Sequence, residues 1–293
     1  MSHFFHLISV VALLFIQIGH SNDIDGKPIL VHGAFTPVEV WGDVDHRLTQ
    51  AGYGRVFPIR LPSVGTVTSG RQPDIDAVRS TLAAELASGK DVVLVGHSYG
   101  GTVVGEAVKI FRADAAPSIP VRRSLLYRKY ARPPPRGKIL GLIMLSSYIP
   151  YTTEVTVPGS RPDIRSIAPS WFNFANMPKV TPDGDPALPP RTLFFNDFSD
   201  IRIAFWSPKF SFSAFGALNA TATYIPYTGD FQCTYVVTDL DNTVPPAWAQ
   251  SFIDQPGAVW SVEHVHASHY SMISKPDDVA RVIKKVAGDP CCV

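Results

Sequence analysis

The amino-acid sequence predicts an α/β protein with a mostly parallel sheet of about six strands, flanked by helices. Short apolar runs alternate along the chain with segments of helical periodicity, which is typical of βαβ units. The apolar runs are nearly continuous, as expected for strands that are buried on both faces. The 293 residues, 45% of them hydrophobic, supply enough apolar side chains for one substantial core.

Six apolar runs are the predicted strands. In chain order they are Pro28–His32, Arg55–Arg60, Asp91–Val95, Ile139–Leu145, Cys233–Val237 and Ala258–Val262. Helices are predicted between them at Pro73–Ala87, Pro246–Ile253 and Pro276–Val286, each with a proline at its start, where the missing N–H costs nothing. A further helix-like run, Thr102–Phe111, follows the third strand.

Two stretches interrupt this pattern. Residues 109–138 are rich in Arg and Lys and contain three consecutive prolines, which favours a surface insertion over a binding patch for an acidic partner. Residues 151–224 are rich in Pro, Phe, Trp and Asn and lack strand alternation. Such an insertion between two sheet strands is typical of a helical cap over a pocket, and it divides the core into residues 22–150 and 225–293.

The first 21 residues resemble a secretory signal peptide. An apolar run, Leu7 to Ile18, is too short to span a bilayer and is followed by small or polar residues, although no Lys or Arg precedes it. We therefore expect a secreted protein; an uncleaved membrane anchor and a buried N-terminal helix are the alternatives. In a secreted chain, Asn219 of Asn-Ala-Thr would be a glycosylation acceptor.

Charge and cysteine content exclude other classes of partner. The formal net charge of +1 provides no field that would favour nucleic acid or a membrane surface. Three cysteines, Cys233, Cys291 and Cys292, are an odd count that cannot form a disulfide framework on its own. The expected partner is therefore a small molecule, while the oligomeric state stays open.

The most specific motif is Gly96-His97-Ser98-Tyr99-Gly100, between the most apolar strand and a helix-like run. Gly-x-Ser-x-Gly in that context predicts a nucleophile elbow, a tight strand-to-helix turn that presents the serine hydroxyl above the sheet. The two glycines remove side chains that would collide there. An ordinary glycine-rich turn is the alternative, and the context disfavours it. Ser98 is thus the predicted nucleophile.

At this point the chain resembles the α/β-hydrolase superfamily, and within it the small fungal esterase-like hydrolases related to plant methylesterases and hydroxynitrile lyases. The matching stretches run from residue 27 nearly to the end of the chain, and their order carries the specificity. They are Ile29–Phe35, Leu61–Gly65, Gly96–Gly101, Phe194–Asp197, Tyr235–Pro245 and His269–Pro276. The resemblance implies the α/β-hydrolase fold, here without the first two strands of its full sheet, and a Ser-Asp-His order for the triad.

The resemblance also implies the oxyanion donors, which are the backbone N–H groups of Ala34 and Tyr99. Two converging donors are what a tetrahedral intermediate requires, and the loss of one typically costs about 2.7 to 4 kcal/mol of activation free energy. A plain β-turn is the alternative for the segment around Ala34. Gly33 would allow the main chain to approach closely.

The triad acid is expected on the loop after the next-to-last strand, which offers Asp239 and Asp241. The family pattern, an aspartate four residues before a proline, selects Asp241. Three histidines, His264, His266 and His269, follow the last strand. The family pattern His-x-x-x-x-Ser-x-Pro selects His269, with one departure: Ser268 stands where the family usually has glycine.

These residues predict a serine hydrolase that cleaves carboxylic esters of small, largely apolar molecules through an acyl-enzyme, with no cofactor and no metal. The alternatives are a lyase or C–C bond hydrolase of secondary metabolism with the same triad, and a non-catalytic ligand-binding member of the fold. Aromatic side chains are the predicted pocket wall, unless they form the core of the cap. They are Phe35, Trp171, Phe172, Phe194, Phe195, Trp206, Phe210 and Phe212.

Overall fold

The structure, a computed structural model, describes residues 26–112 and 137–290. The predicted signal peptide, most of the basic insertion, Cys291 and Cys292 lie outside the described residues. Cys233 lies within them and is a buried free thiol. Within the described ranges, no helix is both long and apolar enough to cross a membrane.

Six parallel strands form the central sheet, in the order β2-β1-β3-β4-β7-β8. The predicted fold class is confirmed. The strands are β1 (Lys27–Val31), β2 (Phe57–Ile59), β3 (Val92–His97), β4 (Ile139–Leu145), β7 (Cys233–Thr238) and β8 (Ser261–Val265), while β5 and β6 belong to the insertion described below. β1, β3 and β7 are buried along their whole length, which explains their continuous apolar sequences.

The two edge strands differ most from the sequence prediction. β2 is shorter than predicted and contains Pro58. Proline has no N–H to donate to a neighbouring strand, so within sheets it occurs mainly in edge strands such as this one. β8 begins three residues later than predicted, at Ser261 instead of Ala258. The predicted bounds relied on Val259 and Val262 as buried strand residues, but both are exposed, because a strand at the edge of a sheet need not be buried.

Eleven α-helices occur in the described residues, and five of them are short helices of the 151–224 insertion. The six outside it are α1 (Gly42–Gln50), α2 (Gln72–Ala87), α3 (Tyr99–Ala107), α9 (Pro246–Ile253), α10 (Ser271–Ser274) and α11 (Pro276–Val286). α9 and α11 match the predicted bounds. α1 packs against α11 and α2 against α3, and both pairs contact the sheet.

The insertion combines short helices with a two-stranded antiparallel sheet that the sequence did not predict. Its helices are α4 (Thr152–Thr156), α5 (Ile164–Ile167), α6 (Pro190–Leu193), α7 (Asp200–Trp206) and α8 (Phe215–Asn219), and its strands are β5 (Lys179–Val180) and β6 (Ser213–Ala214). We call residues 151–224 the cap. Gly65 of the core donates to Phe212 O of the cap at 2.9 Å, so main-chain bonds join the two.

Asn219 is the last residue of α8, and its side chain is engaged by the cap. Its Oδ1 accepts the main-chain N–H of Ile164 at 2.8 Å, and its Nδ2 lies 3.4 Å from Asp163 Oδ2. A glycan on Nδ2 would compete with the second contact. Glycosylation of Asn219 stays a prediction.

Candidate active site

Ser98 lies at the sharp turn between β3 and α3. Its backbone has φ +52° and ψ −125°, a conformation that is strained for a residue with a side chain. The turn is held from the sheet side, because Ser98 N donates to Leu145 O of β4 at 3.1 Å. The serine is half-buried and lines a cavity, as a nucleophile elbow requires.

Gly96 and Gly100 are required by the close approach of main chains at this turn. A Cβ on Gly96 would lie 2.6 Å from Gly100 O, and a Cβ on Gly100 would lie 2.6 Å from the main-chain oxygen of His32, the residue after β1. In both cases the obstacle is backbone, which cannot move aside as a flexible side chain can. The Gly-x-Ser-x-Gly spacing is therefore a packing requirement of the elbow.

Asp241 and His269 form a buried pair. His269 Nδ1 lies 2.8 Å from Asp241 Oδ2, and Asp241 also accepts a bond from Thr238 Oγ1 at 2.9 Å. The second carboxylate oxygen accepts the N–H groups of Thr243 and Val244 at 2.7 and 2.9 Å. These donors fix the carboxylate, and the carboxylate in turn orients the imidazole so that Nδ1 carries the proton and Nε2 is free to accept one.

The alternative acid and bases pair with each other at the surface. Asp239 is exposed and lies 2.8 Å from His264 Nδ1 and 3.9 Å from His266 Nδ1, and both histidines are exposed as well. None of the three lines the cavity around Ser98. The structure thus brings Asp241 and His269 to the elbow and leaves the alternatives outside.

Ser98 and His269 line the same cavity, but within residues 26–112 and 137–290 no hydrogen bond joins the serine hydroxyl to the imidazole. Catalytic hydrogen bonds are often long in unliganded enzymes and shorten when substrate binds. The arrangement is therefore compatible with proton transfer from the serine to Nε2.

A second buried histidine supports the first. His97, the residue before Ser98, places Nε2 3.0 Å from the main-chain oxygen of His269. A carbonyl oxygen can only accept, so Nε2 carries the proton. Burial lowers the pKa of His97 well below its usual range, with the neighbouring His269 acting in the same direction, so the His97 ring is neutral. His97 thus links the elbow directly to the histidine loop.

The predicted oxyanion donors lie beside Ser98. Ala34 and Tyr99 both line the cavity. Tyr99 is the first residue of α3, and the first amides of a helix have no acceptor within the helix. Ala34 N has no hydrogen-bond acceptor among the described residues. Both amides are therefore available to an oxygen in the cavity.

Phe35, next to Ala34, is held in a strained conformation by the cap. Its φ is +68°, which is unusual for a bulky residue. Its N–H donates to Ser213 Oγ at 2.9 Å and its carbonyl accepts Ser211 N at 2.7 Å. The ring packs edge-on against Trp171 at 6.2 Å. The cap therefore fixes the loop that carries one of the predicted oxyanion donors.

Tyr99 is anchored through its side chain. Its hydroxyl donates to Asp74 Oδ2 at 2.7 Å, and Asp74 Oδ1 accepts Ser63 N at 2.9 Å. Burial raises the pKa of the Tyr99 phenol well above its usual range, which keeps the hydroxyl a donor. Arg71 lies over the same ring, with Cζ 5.7 Å from the centroid. Sequence reasoning did not identify Asp74 or Arg71.

The cavity has a volume of about 360 Å³, and its wall is mostly apolar. Of the predicted wall residues, Phe35, Trp171, Phe172 and Phe194 line it. Its lining also includes residues that the sequence did not suggest: Tyr148, Trp248, Arg71, Glu154 and Arg161. Tyr148 and Trp248 follow different sheet strands and pack edge-on at 5.7 Å, so only the fold reveals that they share a wall.

The prediction was wrong for four aromatic residues, because Phe195, Trp206, Phe210 and Phe212 do not line the cavity. Phe195 is buried against Phe198 at 4.9 Å, within the cap core that the sequence left as the alternative. Trp206, at the end of α7, packs against Phe205 at 5.2 Å. In a cap without regular periodicity, the sequence does not indicate which way a ring points.

Within the described ranges, no group of three or more His, Cys, Asp or Glu side chains could hold a metal ion. Asp241 and Nδ1 of His269 have protein partners for their polar atoms. The chemistry that the residues themselves offer is acyl transfer to a serine.

The chain belongs to the alpha/beta hydrolase family, whose model matches residues 29–282. It is 24% identical over 270 residues to the alpha/beta hydrolase nvfD of Aspergillus novofumigatus, and the aligned region covers 89% of this chain and 96% of that protein. It is 22% identical over 279 residues to polyneuridine aldehyde esterase of Rauvolfia serpentina, with coverage of 88% and 94%.

Solved structures share the fold. A pyrethroid hydrolase from Sphingobium faniae JZ-2 superposes with a TM-score of 0.64 at 19% identity, covering 91% of this chain and 98% of that one. Polyneuridine aldehyde esterase superposes with a TM-score of 0.63 at 17% identity, covering 89% and 99%. At these identities the superpositions establish the fold and no more.

Proposed function

We propose that this protein hydrolyses carboxylic esters through an acyl-enzyme, with Ser98 as nucleophile, His269 as base and Asp241 as the acid of the triad. One observation carries the proposal: a serine at a strained elbow and a histidine bonded to a buried carboxylate line the same cavity. The names of relatives, such as polyneuridine aldehyde esterase, support ester substrates.

The proposed reaction begins with attack of Ser98 Oγ on the ester carbonyl carbon while His269 Nε2 takes the hydroxyl proton. The carbonyl oxygen becomes an oxyanion that accepts from the amides of Ala34 and Tyr99. The C–O bond to the alcohol then breaks, and the alcohol leaves with the proton from Nε2. Water then attacks the acyl carbon while the same nitrogen takes one of its protons. The bond between the acyl carbon and Ser98 Oγ breaks, Nε2 returns the proton to Oγ, and the acid is released.

Asp241 supports the base at both stages. Its Oδ2 holds Nδ1 of His269, which selects the tautomer with a free Nε2 and stabilises the imidazolium that forms in each half-reaction. The N–H groups of Thr243 and Val244 keep the carboxylate in place, so it does not need to reorient during the reaction.

Labelling with a fluorophosphonate probe tests the nucleophile. We expect the wild-type protein to be labelled, Ser98→Ala to remain unlabelled and to lose hydrolysis of short p-nitrophenyl esters, and the exposed control Ser261→Ala to behave as wild type. Ester turnover that persists in Ser98→Ala would exclude the serine mechanism. Equal release of acid and alcohol distinguishes hydrolysis from a lyase reaction, and an unlabelled wild-type protein would favour a binding role.

A further inference from the structure

One part of the cavity wall is polar and has no task in the proposed reaction. Its charged side chains are those of Arg71, Arg161 and Glu154, and Tyr148 adds a phenol hydroxyl. Polar groups in a mostly apolar pocket set the orientation and the specificity of the ligand. Their remaining hydrogen-bonding capacity therefore indicates which chemical group fits there.

Glu154 and Arg161 form a buried ion pair. Their side chains are only 10% and 5% exposed, and Arg161 Nε lies 3.2 Å from Glu154 Oε1. The other guanidinium nitrogens are used by the cap, since Nη1 donates to Asn219 O at 2.8 Å and Nη2 to Leu218 O at 2.9 Å. Arg161 therefore has little left to offer a ligand.

Glu154 does keep an acceptor. Its Oε1 also accepts the main-chain N–H of Ala222 at 2.6 Å, so this oxygen is fully engaged. Its Oε2 accepts no hydrogen bond from any residue in the described ranges. Glu154 lines the cavity, so this oxygen can accept a hydrogen bond from a ligand that enters it.

Tyr148 supplies a second unused group. Its ring packs edge-on against Phe252 at 5.8 Å, while its phenol oxygen has no hydrogen-bond partner in the part of the chain that the structure describes. Burial raises the pKa of this phenol, so it remains protonated. Tyr148, Glu154 and Arg161 all line the same cavity.

The charges in this wall cancel. Arg71 Nη1 lies 2.7 Å from Glu106 Oε2, and Arg161 pairs with Glu154. A ligand carboxylate or ammonium would therefore introduce a buried charge without a counter-charge, which is strongly unfavourable. A neutral hydroxyl has no such cost, and the cavity that it would enter is lined by an acceptor, Glu154 Oε2, and by a donor, Tyr148 Oη.

We propose that the substrate is an uncharged, largely apolar ester that carries a hydroxyl group, and that Glu154 and Tyr148 bind this hydroxyl. The proposal rests on the ester hydrolysis proposed above and adds a specificity site to it. Rings such as those of Trp171 and Phe172 would contact the apolar part of the same molecule.

Two pairs of esters test the specificity. One pair is methyl phenylpropanoate and its para-hydroxy derivative, and the other is phenylethyl acetate and its para-hydroxy derivative. For at least one pair we expect kcat/KM of the wild type to favour the hydroxylated ester by about tenfold or more, as for a hydrogen bond to a charged group. In Tyr148→Phe and Glu154→Gln this ratio should fall towards one.

Tyr224→Phe is the matched control, because its hydroxyl bonds Asp230 outside the cavity wall. It should keep the wild-type ratio. A ratio of two kcat/KM values does not depend on the fraction of folded protein, so a partly misfolded variant still gives a valid result. Wild type that cleaves the esters without preference, or variants that keep the preference, would overturn the proposal.

Binding separates this proposal from the proposed reaction. In Ser98→Ala, which cannot form an acyl-enzyme, calorimetry should show about tenfold or more tighter binding of at least one of the two hydroxylated esters than of its apolar partner. The difference should vanish in Ser98→Ala/Tyr148→Phe. If no ester is cleaved but this difference in binding is present, the hydrolase proposal fails and the hydroxyl site stands; equal binding overturns the hydroxyl site.

Discussion

Asp197 of the cap accepts the main-chain N–H of Ser268 with Oδ2 at 3.1 Å and the Ser268 hydroxyl with Oδ1. Ser268 immediately precedes His269, so a cap carboxylate holds the loop that carries the proposed base. The neighbouring Asn196 donates to Leu240 O at 2.8 Å and so holds the loop that carries Asp241. One cap segment therefore positions both members of the acid–base pair.

Asp197→Ala should loosen the His269 loop. We expect kcat for short p-nitrophenyl esters to fall by about tenfold to a hundredfold, because small displacements of a catalytic group have effects of that size. KM should change less, since Asp197 does not line the cavity. Asp200→Ala, which removes an exposed cap aspartate, is the control; equal kcat values for the two variants would contradict this positioning role.

The two candidate acids can be separated by isosteric substitutions. Asp241→Asn should lower kcat by about a thousandfold to ten thousandfold, because the amide no longer holds the correct histidine tautomer. Asp239→Asn should stay near wild type, since Asp239 pairs with His264 at the surface. Steady-state kinetics on one ester decides the matter, and a comparable loss in both variants would refute the assignment of Asp241.

His32 makes stability depend on pH. It is buried neutral, with Nε2 accepting Leu61 N at 3.0 Å and Nδ1 donating to Gly33 O at 2.8 Å, and burial lowers its pKa to about 4. Between pH 6.5 and about 4 the unfolded chain binds a proton that the folded protein does not, so the free energy of unfolding decreases as pH falls. Over this interval His32 accounts for a loss of about 3 kcal/mol.

Urea unfolding at pH 7.5 and pH 4.5 measures this loss. His32→Gln, whose amide oxygen can still accept from Leu61, should lose about 2 to 3 kcal/mol less than wild type between the two values. The buried His97 has its pKa lowered for the same reason and remains in both proteins, so the variant retains part of the pH dependence. Identical losses in both proteins would show that His32 does not carry the effect.

Gly100→Ala should destabilise the elbow strongly. Its Cβ would lie 2.6 Å from His32 O, and both main chains would have to separate, at a cost of about 3 kcal/mol or more. Gly42→Ala is the matched control, because nothing lies within 4 Å of its added Cβ and its φ is −55°. Thermal unfolding should give a lowered midpoint for the first variant and an unchanged or slightly raised one for the second.

The sequence was most informative where structure follows from neighbouring residues. The strands β1, β3, β4 and β7 were found nearly at their bounds because burial on both faces leaves a continuous apolar run. The edge strand β8 was misplaced because an exposed edge carries no such signal. The two strands of the cap are only two residues each, too short to show any periodicity.

The elbow could be predicted because its parts are consecutive: an apolar strand, the glycine spacing and a helix specify one turn. Asp241 and His269 were selected only by resemblance, since Asp239 and His264 offer the same chemistry nearby in sequence. Their separation is a matter of side-chain direction at the end of a strand, where one residue faces the sheet edge and another faces solvent.

The sequence by itself determined the fold class, the strained position of Ser98 and the glycines around it, because these depend on local backbone sterics and on burial along single segments. Only the tertiary structure decided which aromatic rings line the cavity, that Asp197 holds the His269 loop, and that Glu154 and Tyr148 line the same cavity. Those relationships join residues from separate strands and from the irregular cap, so they arise from how the segments pack together.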